Sequence, residues 1–179
     1  MSEPEDLPRR LAHTTNDHIR RASLADASTD FDGFPAVEWV RDTGASVSDT
    51  LMKWANGRLA ELPIGRAWDV IRLPHPEAWD VVRHLRAVET SVGPVLHHLT
   101  YVDFLVPVGS AENFDLPGAD VLREGELLLA PNPSVVAPHT QDAMSWLFAP
   151  RAESILTDPD DLYGAYAAAI AVMDARGGQ

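Results

Sequence analysis

Residues 95–130 read VLHHLTYVDFLVPVGSAENFDLPGADVLREGELLLA, and this stretch decides the fold class. Val95 to Leu99 and Tyr101 to Val106 are short, β-branched or aromatic runs, and Pro107, Gly109 and Ser110 close the second. They read as a hairpin. Leu116-Pro117-Gly118 punctuates a loop, residues 119–122 form the next short run, and Arg123-Glu124-Gly125 turns the chain into the apolar strand of residues 126–130. Four strand signals follow one another with no helical period between them. Clustered strands of this kind predict an α+β domain rather than a doubly wound α/β sheet.

Outward from this block, residues 68–73 carry another strand signal, bounded by Pro74, and residues 146–150 supply a last one. Helical spacing frames them. Residues 35–40 predict a short helix with Pro35 at its first position, which Gly44 ends. Residues 46–59 predict a second, with Val47, Leu51, Trp54, Arg58 and Leu62 at three- and four-residue steps. Residues 76–89 predict a third with Trp79, Val82, Leu85 and Val88 on its inner stripe. A final helix opens at Thr157-Asp158-Pro159 and buries Leu162, Tyr166, Ile170 and Met173. Trp39, Trp54 and Trp79 lie on helical stripes and are expected in the core, whereas Trp68 and Trp146 are open to lining a pocket. The division expected is residues 1–32 as a mobile or partly helical tail, with a short helix over 17–27, and residues 33–176 as one α+β domain.

The 179 residues hold 14 Lys+Arg against 27 Asp+Glu, a net charge of −13. Such a surface repels polyanions, and nucleic-acid affinity comes largely from neutralising phosphates, so non-specific nucleic-acid binding is not expected. Absence of cysteine removes disulfides, zinc ribbons and thiol nucleophiles. No apolar run reaches membrane-spanning length and no secretory h-region opens the chain, so a cytoplasmic protein with no membrane partner is expected. There is no Gly-x-Ser-x-Gly elbow and no glycine-rich phosphate loop. Adjacent His97 and His98 must point to opposite faces if they lie in a strand, and no His-x-x-x-His spacing exists to make a helical zinc site. The chemistry-bearing candidates are therefore carboxylates on or beside strands: Asp69, Asp103 and Asp120. Such groups hold Mg²⁺ or Mn²⁺ when they converge. Taken singly, a strand aspartate such as Asp69 is more often held by backbone or arginine than by metal.

Residues 62–71 (LPIGRAWDVI), 93–96 (GPVL), 104–110 (FLVPVGS) and 116–134 (LPGADVLREGELLLAPNPS), with Trp146, Pro150 and residues 156–159 (LTDP), resemble in order the motifs of the bifunctional DNA primase/polymerase N-terminal family. These are prim-pol-like proteins of the archaeo-eukaryotic primase superfamily. The resemblance spans residues 34–175. It implies a mixed or antiparallel sheet flanked by helices, binding nucleotide and a divalent metal. Asp69 matches the family's first metal-binding acid and Asp120 its third, but Ile71 stands where the second belongs. The family's phosphate-contacting histidine falls near residues 99–104, where none occurs; His97 and His98 lie just upstream. The candidate metal set is thus Asp69, Asp120 and Asp103, holding Mg²⁺ or Mn²⁺ weakly. The candidate nucleotide contacts are Arg66, Arg123, His97, His98 and Ser134. The expectation is a degenerate, catalytically silent member acting in regulation or assembly with a protein partner. An active metal-dependent nucleotidyltransferase and a small-molecule-binding module are the alternatives.

Overall fold

The computed structural model describes residues 36–75, 77–151 and 155–177. The expectations for the tail over residues 1–32, the helix at 17–27, Pro35 as a first helical residue and Pro76 as a helix start lie outside the described residues.

The described residues form four helices and two antiparallel sheets, an α+β fold. In chain order they are α1 (Ala36–Thr43), α2 (Val47–Ala55), β1 (Ala60–Pro63), β2 (Asp69–Pro74), α3 (Glu77–Ala87), β3 (Val95–His97), β4 (Tyr101–Val106), β5 (Asp120–Leu122), β6 (Leu127–Ala130), β7 (Ser145–Phe148) and α4 (Pro159–Gly177). The larger sheet runs β5-β2-β4-β3-β7, and β1 pairs with β6 in a separate ribbon. Among the described residues no helix is long and apolar enough to cross a membrane.

Both faces of the large sheet carry a packed layer, and its central strands supply apolar residues to each. Ile71, Leu73, Val102, Phe104 and Val106 pack under α3 and α4. Val70, Leu96, Leu105 and Trp146 pack under α1, α2 and the ribbon. Trp39 is the hub of this second layer, stacked on Trp68 at 6.2 Å and edge-on to Trp146 at 5.8 Å. Trp54 donates its indole N–H to the Ala130 carbonyl at 3.0 Å, tying α2 to β6. Trp68 and Trp146 are therefore core residues.

Three local expectations need correction. The second helix stops at Ala55 rather than Leu59, because Asn56 caps it and Gly57 takes φ +65°; Ala60–Pro63 then extend as a strand. Leu62 fits the helical spacing and the inward alternation of β1 alike, and the strand pairing decides. In α3 the buried stripe is Ala78, Val81, Val82 and Leu85, which leaves Trp79 and Val88 at the surface. Val82 and Leu85 belong to both stripes; at about 100° per residue Trp79 and Val88 fall at the two edges of that face and Ala78 and Val81 nearer its middle, where the small Ala78 admits the close packing against α4. In α4 Asp158 caps the helix as its opening signal predicts, its carboxylate accepting the Asp160 N–H at 2.8 Å while Thr157 accepts the Gly93 N–H at 3.0 Å, but the buried stripe is Leu162, Ala165, Tyr166 and Ala169, with Ile170 and Met173 half-buried.

Gly65 joins the β1–β2 turn to the β5–β6 turn. Its φ is +94°, and a Cβ there would lie 2.5–2.6 Å from the Glu124 backbone. Both strain and collision oppose a side chain. Gly65→Ala is expected to lower unfolding free energy by about 2 kcal/mol or more, read by urea denaturation. An unchanged midpoint would show that the two turns do not hold this approach in solution.

Candidate functional site

The polar groups of the large sheet gather at one place. Strand register sets Asp120, Arg72, Asp103, Leu96 and Trp146 directly opposite one another in a row across β5, β2, β4, β3 and β7. Opposed residues share a face, so three of the five are charged and the other two, Leu96 and Trp146, belong to the tryptophan layer. Arg72 donates to Asp103 through two bonds, Nε to Oδ1 at 2.7 Å and Nη2 to Oδ2 at 2.9 Å. Asp103 is fully buried, while the Arg72 side chain keeps 26% exposure. Asp120, at the sheet edge, is exposed.

Aromatic rings complete the cluster. The Arg72 guanidinium lies 3.8 Å from the Tyr101 ring centre, and Tyr101 stacks on His98 at 4.4 Å. The Thr100 N–H donates to His98 Nδ1 at 3.4 Å, which leaves Nε2 to carry the ring's proton in neutral His98. Burial lifts the Asp103 carboxyl above the usual aspartate range, and the two-point bond from Arg72 opposes that rise. Burial works against the Arg72 cation, but the bonds and charge of Asp103 outweigh it and raise its pKa. Burial also raises the Tyr101 phenol, with Arg72 pulling the other way. The result is a guanidinium bound along one edge by an acid and lying 3.8 Å from a ring centre, with three of its five N–H donors not used by Asp103.

The candidate metal acids do not converge. Asp69 opposes Val106, and its neighbours on that side, Ile71 and Val106, are in the helix-facing core. Asp103 and Asp120 share the other face. Asp69 is buried and accepts the Gly109 N–H at 2.8 Å, the backbone capping that its strand context favours. Both oxygens of Asp103 are taken by Arg72. Among the described residues no group of three or more His, Asp or Glu is placed to hold a metal ion.

The candidate nucleotide contacts are spread as widely. Arg66 is exposed and lies against Gly44 at the α1–α2 turn. Arg123, also exposed, donates to the Ala111 carbonyl at 3.3 Å. Both stand at the Asp69 end of the sheet. His97 and His98 are at the Tyr101 end, on opposite faces as strand alternation requires: His98 on Tyr101, and His97 against His75 and Trp79. Ser134 follows the ribbon and donates its N–H to Asn132 at 2.8 Å. Arg72, Tyr101 and His75 were not singled out by sequence reasoning. Alternation along β4 does put Tyr101 and Asp103 on one face, but nothing local links them to Arg72.

Comparison with family models, with curated proteins and with solved structures found no match.

Proposed function

We propose that the protein is a degenerate prim-pol-like domain that works as a binding or assembly protein rather than as a nucleotidyltransferase. The observation that carries this reading is the placement of Asp69 on the opposite face of the sheet from Asp103 and Asp120. In-line phosphoryl transfer by two metals needs carboxylates that share the ions, and here one acid caps a backbone amide and another is consumed by Arg72. The motif blocks behind the resemblance support the reading from another side. Residues 62–71 and 116–134 supply paired strands, β1 with β6 and β2 with β5, so they act as one structural unit. The exposed Asp120 and the Arg72 donors that Asp103 does not use offer a protein partner both an acceptor and a donor set.

A thermal-shift assay with ATP and dATP, each with and without MnCl₂ or MgCl₂, tests this. The expected shift at millimolar nucleotide is below about 1 °C, where ligand at one hundred times its dissociation constant would add about 2.7 kcal/mol, or about 5–10 °C. A rise of that size that requires both metal and nucleotide, and that vanishes in Asp120→Asn, would overturn the proposal and restore the enzyme reading.

A further inference from the structure

On the helix-facing side of the sheet three nitrogen-bearing rings meet. His75 follows β2, and its backbone N–H is fixed to the Thr100 carbonyl at 3.1 Å. His97 ends β3 and is half-buried. Their Nε2 atoms are 2.9 Å apart. Trp79, on the outer surface of α3 and 38% exposed, donates its indole N–H to the same His75 Nε2 at 2.8 Å.

Proton accounting makes this arrangement unusual. A neutral imidazole has one acceptor nitrogen with one in-plane lone pair, and an indole nitrogen only donates. The indole forces His75 Nε2 to be the acceptor, so the proton between the imidazoles belongs to His97. One lone pair then faces two donors. A cation in place of that proton would use a lone pair from each ring. The exposed indole is free to turn toward water.

The ring centres are 5.0 Å apart, so the two Nε2 lone pairs lie nearly end to end and a cation between them turns both rings slightly. Affinity of nitrogen ligands for divalent cations rises to copper(II) and falls again at zinc. We propose that His75 and His97 form a two-histidine site for a divalent cation, copper(II) or nickel(II) ahead of zinc, with water in the remaining positions. The net charge of −13 concentrates cations at the surface. Among the described residues neither ring has a carboxylate behind it. Lack of that support costs about 10–100-fold in affinity, so the site is a reversible one.

The test is titration of the full chain with CuCl₂ in a non-chelating buffer, followed by calorimetry and electron paramagnetic resonance. One equivalent is expected to bind first, with hyperfine structure from two equivalent nitrogens. His75→Ala and His97→Ala should each weaken that first equivalent by about tenfold or more, while Trp79→Phe, which removes the competing donor, should bind equally or more tightly. Zinc chloride should bind more weakly than copper or nickel. No uptake, a spectrum lacking two nitrogens, or a first equivalent unchanged in both histidine variants would each sink the proposal. The wild-type spectrum decides the matter even if a histidine variant fails to fold.

Discussion

Arg72→Met is expected to cost the fold about 3–5 kcal/mol, because it strands a carboxylate that has no exposed surface. The pair itself is a poor source of net stability, since its attraction is spent against the desolvation of both groups. Its removal as a unit should therefore be far cheaper than its rupture: Arg72→Met with Asp103→Leu is expected to lie within about 1 kcal/mol of wild type. Asp103→Leu alone should fall between them, because Arg72 keeps solvent contact, Tyr101 and the charge of Asp120. The single Arg72 variant should also show a distinctive pH dependence. Without the guanidinium, burial is left unopposed and the folded-state pKa of Asp103 rises further above its unfolded value. The folded state then binds the extra proton, so stability is lost as pH rises and recovered as pH falls. Urea denaturation at pH 7 and pH 5 reads this directly. A loss under about 1 kcal/mol at pH 7, with no recovery at pH 5, would mark the pair as an ordinary surface bridge.

Trp146→Ala carries the second large effect, about 3–5 kcal/mol, or about 6–20 °C in melting temperature. The side chain has no exposed surface and is the largest fully buried one among the described residues. It packs edge-on to Trp39 and donates to the Pro131 carbonyl at 3.2 Å. Its backbone also donates to the Val135 carbonyl at 2.8 Å and accepts from Ala137 at 3.0 Å. Truncation opens a cavity between α1 and the sheet and removes the donor to the Pro131 carbonyl. Trp79→Ala is the matched control and should cost under about 1 kcal/mol, since that ring sits at the surface. Equal losses for the two would mean that the tryptophan layer does not anchor β7.

Much of the fold was legible in local pattern. The strands β2 to β7, the helices α1, α3 and α4, and the α+β class follow from runs of alternating or spaced apolar residues ended by Gly and Pro. Those signals work because a helix or strand buries one periodic side within a few residues of itself. Failure came where two periods fit the same residues, as at Leu62, or where two helical stripes compete, as at Trp79 against Ala78.

The candidate site was far less legible. Sequence named Asp103 and His97 but neither of their partners: Arg72 lies 31 positions from Asp103 and His75 lies 22 from His97. It placed Asp69 and Asp120 in one set, and the sheet puts them on opposite faces. The sequence by itself determined which residues are polar within each strand and which alternate to the same side. Only the tertiary structure decided which strands are neighbours and in what register. The physical reason is that register is set by the summed packing of two whole core layers, and a one-residue slip would turn every side chain of a strand to the other face.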